Sequence, residues 1–169
     1  MPLLGLYTGA RLNELCQLYV NDIKEIDKIW CIDINRNTND KKLKNASSER
    51  VIPIHPKLIE LGFLNFVKEQ KKNNSQRLFS HLKLGSDGYI KNVSRFFNVK
   101  WLPEIGVKTN KKSFHSLRHT FANELKQVGV NEQVASELLG HASQSITYGR
   151  YGKESRIEVH LDQISIIYI

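Results

Sequence analysis

Three short isoleucine-rich runs, at 23–26, 29–34 and 51–54, are set into a chain whose other apolar residues recur at helical spacing. Runs this short, bounded by polar turns, predict one small three-stranded antiparallel sheet and nothing larger. The rest is expected to be helix. Leu12, Leu15, Cys16 and Tyr19 predict a helix over 10–18 with Arg11 at its start. Pro56 opens a second, over 56–72, with Leu58, Ile59, Leu61, Leu64, Phe66 and Val67 turned inward. An extended piece at 77–81 and a turn at 85–88 lead to a helix over 89–101, with Phe96, Phe97 and Trp101 inside and Pro103 closing it. Phe114, Leu117, Phe121, Leu125 and Val128 predict a helix over 113–128 stopped by Gly129, and Asn131 caps another that ends at Gly140. The connection over 35–49 is almost wholly polar and is expected to be a mobile loop. The expected class is α+β, mostly helical, with a small three-stranded antiparallel sheet.

At 169 residues and 40% hydrophobic content the chain suffices for one domain with an ordinary core. Lys and Arg number 25 against 17 Asp and Glu, a net charge of +8, which favours an anionic partner; nucleic acid is the first candidate and a merely basic protein the plain alternative. Cys16 and Cys31 lie in apolar surroundings with no signal peptide before them, so buried reduced thiols in a cytoplasmic setting are expected. No apolar run approaches the roughly 18 residues that span a bilayer. The opening residues, Met1 to Tyr7, already sit inside an apolar helical pattern, as expected of a domain cut from a longer protein.

On the helix over 113–128 the core stripe takes positions 114, 117, 121 and 125, which leaves His115 and Arg118 on a neighbouring face pointing away from the core. A guanidinium there suits phosphate, binding two oxygens at once and staying charged. The bland alternative is a surface His and Arg on an amphipathic helix. Arg11 follows Thr8-Gly9 at a turn into a helix, where backbone amides and a side chain can converge on an anion. Glu14 either orients Arg11 or is simply solvated. His141 comes just after the helix-ending Gly140, where free carbonyl ends favour a protonated ring. His115 and His119 stand four apart, as in helical zinc sites, but Ser116 follows His115 and no carboxylate lies between the histidines, so no metal is expected and His119 is taken as structural.

Taken in order, Thr8-Gly9-Ala10-Arg11-Leu12-Asn13-Glu14-Leu15, Phe114-His115-Ser116-Leu117-Arg118-His119-Thr120, Leu139-Gly140-His141 and Tyr151-Gly152-Lys153 resemble the catalytic domain of tyrosine recombinases, the phage integrase family. The resemblance runs from Pro2 to about Lys153. It implies a tyrosine-recombinase-type catalytic domain over 1–169, without the family's separate amino-terminal DNA-binding domain, and with 154–169 as a tail that docks on its own domain or into a neighbouring protomer. The implied activity is site-specific recombination or integration through a 3′-phosphotyrosyl intermediate. Arg11 and Arg118 would clamp the scissile phosphate, His141 would bond a nonbridging oxygen, and His115 would move a proton at the nucleophile.

Tyr151, ahead of Gly-Lys, is the expected nucleophile, with Tyr148 as its competitor because the spacing from His141 is one residue longer than in many relatives. Within the 35–49 loop, Lys44 in Lys44-Asn45-Ala46-Ser47-Ser48-Glu49-Arg50 resembles the family's lysine that protonates the leaving 5′ oxygen. Lys42, Lys108, Lys111 and Lys112 are expected to meet backbone phosphates. No cofactor is implied, because the phosphotyrosyl ester conserves the bond energy. The implied partners are double-stranded DNA and further copies of the protein, as a tetramer joined through the apolar tail, in a bacterial cytoplasm at the nucleoid, with a phage or genomic island as the source. The rivals are a type IB topoisomerase, a catalytically inactive DNA-binding relative, and a helix-turn-helix regulator built on 113–140.

Overall fold

The computed structural model describes residues 1–141 and 155–167. Helix α1 (Pro2–Thr8) starts with proline in its first turn and ends at Gly9, whose left-handed backbone (φ 61°) reverses the chain. A β-carbon on Gly9 would lie 2.4 Å from the Phe121 ring, and one on Gly5 2.6 Å from Phe114. Two glycines thus let α1 lie directly on α7 (His115–Gln127), which sets the turn at Ala10-Arg11 beside the middle of α7. Helix α2 (Leu12–Cys16) is shorter than the 10–18 expected, because Asp22 accepts the Tyr19 N–H (2.7 Å) and turns the chain into a 3₁₀ segment, Val20–Asp22. There Val20 N–H bonds Gln76 and Leu78 N–H bonds Leu18, fastening the short extended piece around Arg77.

Strands β1 (Ile23–Ile26), β2 (Ile29–Ile34) and β3 (Arg50–Pro53) form one antiparallel sheet in the order β1-β2-β3. Asp27 and Lys28 both take positive φ, the two-residue turn whose twist suits a hairpin. Ile23, Ile32 and Ile52 lie in register across the sheet and are buried. β3 begins one residue earlier than expected, so Arg50 pairs with Ile34 and shares the buried face of Ile52. The 35–49 connection is not a free loop: Lys41 is buried on Asp22 and Asp40 accepts from Tyr19, Tyr89 and Arg77, interactions that polarity alone does not reveal.

The stretch over 56–72 is two helices, α3 (Pro56–Glu60) and α4 (Phe63–Lys72), broken at Gly62 with φ 85°. The break rotates α4 so that Phe63 and Val67 face the core, leaving Ile59 and Leu61 exposed where inward positions were expected. Helix α5 (Ile90–Phe96) runs into a π turn, Phe97–Trp101, and a last turn α6 (Leu102–Glu104). The wider turn shifts the register: Phe97 stacks on Trp101 (4.9 Å) and meets Phe114 edge-on (5.1 Å), while Phe96, expected inside, is exposed. Pro103 does not close the helix at Trp101 but lies inside its last turn, α6, which ends one residue later at Glu104. α7 buries Phe121 and Leu125 fully, though Val128 at its end is exposed. Helix α8 (Glu132–Leu139) is capped by the Asn131 side chain on Gln133 N–H (2.8 Å). Cys16 and Cys31 are free and buried, and burial pushes their thiols up to about 12 and about 11. No helix among the described residues is long and apolar enough to cross a membrane.

Helix α9 (Ile157–Ser165) lies against β3, with Ile164 and Ile167 fully buried and His160 paired to Glu137 at 3.0 Å. His55 fastens its end. Lys57 N–H donates to His55 Nδ1 (2.9 Å), so Nε2 holds the ring proton and donates to the Ile167 carbonyl at 3.1 Å. Burial lowers the pKa of this ring, outweighing the Ile167 and Ile164 carbonyls that favour its charged form. The stability tied to the neutral ring is present in full above its unfolded value, about 6.5, and is lost as pH falls below it. Acidification from about pH 7.5 to about pH 5.5 is expected to lower the melting temperature more in the wild type than in His55→Gln; equal shifts would contradict this.

Candidate functional site

Glu14, in the first turn of α2, is buried at 2% exposure. Its Oε1 accepts from Arg11 Nη1 (2.7 Å), and its Oε2 accepts from the Arg11 N–H and from Arg50 Nη2, both at 2.9 Å. The reading of Glu14 as a solvated helix residue is therefore wrong: one carboxylate holds two guanidiniums. Arg11 Nη1 also reaches the Ser48 hydroxyl at 3.2 Å. Arg50 is fully engaged, with Nε on the Leu138 carbonyl and Nη1 on the Ser48 carbonyl, each 2.7 Å.

Arg118 does not lie on a face directed away from the core, as the helical spacing suggested. It is buried at 5%, because the α1–α2 turn and the end of α8 pack over it. Its Nη1 donates to the Gly9 carbonyl (2.7 Å), and its Nη2 to the Leu139 carbonyl (2.5 Å) and to His141 Nε2 (2.9 Å). The last carbonyls of α8, which a helix end leaves without partners, are thus taken by Arg50 and Arg118. Gly140 in the left-handed conformation (φ 65°) then turns the chain so that His141 meets Arg118. A side chain there is blocked, since its β-carbon would lie 2.8 Å from Arg50 Nη1.

The charges do not balance. Among the described residues, Arg11 and Arg50 share the Glu14 carboxylate while Arg118 bonds no carboxylate, and burial followed by the Arg11 and Arg50 charges pulls Arg118 down to about 10, still protonated at neutral pH. His141 is lowered by burial first and then by Arg118, Arg11, Arg50 and Lys44. This corrects the expectation of a protonated ring: the carbonyls that would have attracted a proton are occupied by arginines that repel it. An arginine only donates, so His141 Nε2 accepts and the ring's single proton sits on Nδ1. His115 is largely exposed, yet the partial desolvation of its ring, then His119, Arg118, Arg11 and Lys44, lower it likewise. Its ring meets that of His119 edge-on at 4.7 Å.

One electrostatic neighbourhood therefore holds Arg11, Lys44, His115, Arg118 and His141. A cleft of about 200 Å³ opens beside it, walled by Arg11, Ser94, Asn98, Ser113 and His115. Lys44 is exposed, as is Lys42, whose backbone is held by Asn13 and Gln17. Lys108, Lys111 and Lys112 occupy the exposed turn before α7, with Lys108 Nζ on the Lys112 carbonyl at 2.9 Å. Tyr148 and Tyr151 lie outside the described residues. Sequence reasoning passed over Arg50, which was read only as part of the Lys44 run. The available signal was its period-two register with the apolar Ile52 and Ile54.

The phage integrase family matches residues 1–156 of the chain. Among curated proteins it is similar to a tyrosine recombinase of Thermosipho africanus, 31% identical over 144 residues, 83% of this chain and 44% of that one. Tyrosine recombinase XerD of Staphylococcus epidermidis is 29% identical over 147 residues, with the same shares covered. The chain thus spans less than half the length of these relatives. Among solved structures, the integrase from mycobacterium phage Brujita superposes with a TM-score of 0.64 at 18% identity, covering 99% of this chain and 50% of that one. The XerH site-specific recombinase bound to difH substrate gives 0.58 at 22%, covering 93% and 42%. These likenesses show the fold: the tyrosine recombinase and integrase catalytic domain with its small antiparallel sheet.

Proposed function

Because the chain belongs to the phage integrase family, we propose that it cleaves and rejoins DNA strands as the catalytic domain of a site-specific recombinase. The observation that carries this reading is the excess positive charge at one spot: Arg11 and Arg50 share the buried Glu14 carboxylate, Arg118 beside them bonds carbonyls and His141 instead of a carboxylate, and burial and these arginines lower the pKa values of the two neighbouring histidines. A phosphate is the anion whose geometry and charge complete such a site.

In the proposed reaction the Tyr151 oxygen attacks phosphorus and the bond from phosphorus to the 5′ oxygen breaks. The tyrosine proton passes to neutral His115, and Lys44 gives a proton to the departing 5′ oxygen. Arg11 and Arg118 bind nonbridging oxygens whose charge grows in the transition state, and the Nδ1–H of His141 supplies a further donor. Attack by a 5′ hydroxyl of a partner strand reverses the step, with no cofactor consumed. Lys42, Lys108, Lys111 and Lys112 contact backbone phosphates, so affinity for duplex DNA falls steeply with salt. Self-association as a tetramer, in which residues 154–169 would exchange the seat of α9 on β3 of their own domain for the same seat on a partner copy, and a place at the bacterial nucleoid, belong to the same proposal.

Incubation with a duplex nicked near the scissile phosphate tests it. A salt-stable covalent adduct is expected, with the nucleotide mapped by mass spectrometry to Tyr151. Attachment at Tyr148 would transfer the nucleophile there, and no adduct on any duplex would overturn the assignment. Exchange between two marked duplexes separates recombination from relaxation of supercoils alone.

A further inference from the structure

The strand connection that carries Lys44 is nailed to the domain at three consecutive residues. Asp40 faces inward with both oxygens saturated: Oδ1 accepts from Tyr19 Oη (2.9 Å) and Thr38 Oγ1 (2.7 Å), and Oδ2 from Tyr89 Oη (2.6 Å) and Arg77 Nη1 (3.2 Å). Arg77 lies 3.2 Å from the centre of the Tyr89 ring and donates from Nη2 to the Cys16 carbonyl at the end of α2. Lys41 is buried on both oxygens of Asp22, at 2.7 and 2.8 Å, with Asn35 and Asn37 completing its shell. The backbone of Lys42 then bonds Gln17 through its N–H and Asn13 through its carbonyl. On the far side of Lys44, Asn45 Oδ1 accepts from Ser48 Oγ (2.6 Å), and Ser48 is the residue that Arg11 reaches.

An exposed lysine is thereby held between two fixed points, one of them touching the arginine cluster. A merely solvated turn has no use for a carboxylate with four donors. Burial works against the charge on Asp40, yet the bonds from Tyr89, Thr38 and Tyr19 together hold its carboxyl down to about 2, so the anchor stays ionised at any working pH. Tyr89 also immediately precedes α5, and Ser94 in that helix and Asn98 in the π turn after it wall the cleft. Asp40 therefore ties the lysine hairpin to the wall of the site.

We propose that Asp40, through Tyr19, Tyr89 and Arg77, is a positioning residue that sets where Lys44 can deliver its proton. This rests on the reading of Lys44 as the acid for the leaving oxygen. A 5′-bridging sulfur separates the possibilities, because a thiolate leaves without being protonated while all other contacts stay the same. Single-turnover cleavage of oxygen and sulfur duplexes is compared for the wild type, Asp40→Asn, Tyr89→Phe and Lys44→Ala. Asp40→Asn is expected to slow cleavage of the oxygen duplex by about tenfold to about a hundredfold, the scale of a displaced catalytic group, and to cleave the sulfur duplex at the wild-type rate. Tyr89→Phe, which keeps the ring under Arg77, shows a smaller loss with the same rescue and covers the case in which Asp40→Asn does not fold. Equal losses on both duplexes, or none on either, overturn the proposal and reduce the network to scaffold. A Lys44→Ala defect that sulfur does not relieve sinks the underlying role of Lys44 instead, and the positioning claim with it.

Discussion

Arg118→Ala is expected to slow strand cleavage by about a thousandfold or more, the scale of losing one charged donor to a phosphoryl transition state. The effect on duplex affinity is much smaller, because the exposed lysines supply most of that binding. Arg118 also ties the Gly9 and Leu139 carbonyls and His141 together, so its loss leaves two buried acceptors without partners, at about 1–3 kcal/mol each. Part of the rate loss could therefore be a loosened site. Arg118→Lys separates the two contributions: it keeps the charge but cannot reach both carbonyls and the imidazole at once. Rates of adduct formation on a nicked duplex, measured beside melting temperatures, give the answer. Cleavage by Arg118→Ala within about tenfold of the wild type, well under the loss of one such donor, would remove Arg118 from the proposed phosphate clamp.

Glu14→Ala is expected to destabilise the domain by about 3–5 kcal/mol, because it strips the shared counter-charge from two guanidiniums held close together. For a chain of this size that is a fall of roughly 10 °C in melting temperature. Burial raises the Glu14 pKa, but the Arg50 charge and the bonds from Arg50 and Arg11 outweigh it, and the net shift is downward. The stability it supplies is thus complete above the unfolded value, about 4.3, and is lost as pH falls through the lower folded one. Cleavage falls as well, because Arg11 loses the bond that orients it, while added duplex narrows the melting gap by providing negative charge in place of the carboxylate. Thermal melts of the variant with and without duplex check both statements; an unchanged melting temperature would show that the carboxylate is dispensable.

Much of the domain was legible before any coordinates. The β1 and β2 boundaries follow from alternation and turn residues, α8 from its Asn cap and terminal glycine, and the convergence of Arg11, His115, Arg118 and His141 from motifs in family order. The failures have a common origin. Gly62 splitting one helix in two, and the π turn that exposes Phe96, depend on which face the core accepts, and helical periodicity is blind to that. Polarity predicted a mobile 35–49 loop, yet Asp40 and Lys41 point inward, because their partners at Asp22, Tyr19, Arg77 and Tyr89 are distant in the chain.

Local spacing determined the small sheet and most of the helices, since these are set by neighbours within a few positions, while the candidate phosphate-binding residues came from the resemblance of whole motifs. The tertiary structure alone decided the electrostatics of the site. Arg50 meets a carboxylate 36 positions away, Arg118 a carbonyl 109 positions away, and burial together with the arginines gathered at the end of α8 lowers the His141 pKa. Burying a charge is a property of the pair and its surroundings, and only the folded chain brings such pairs together.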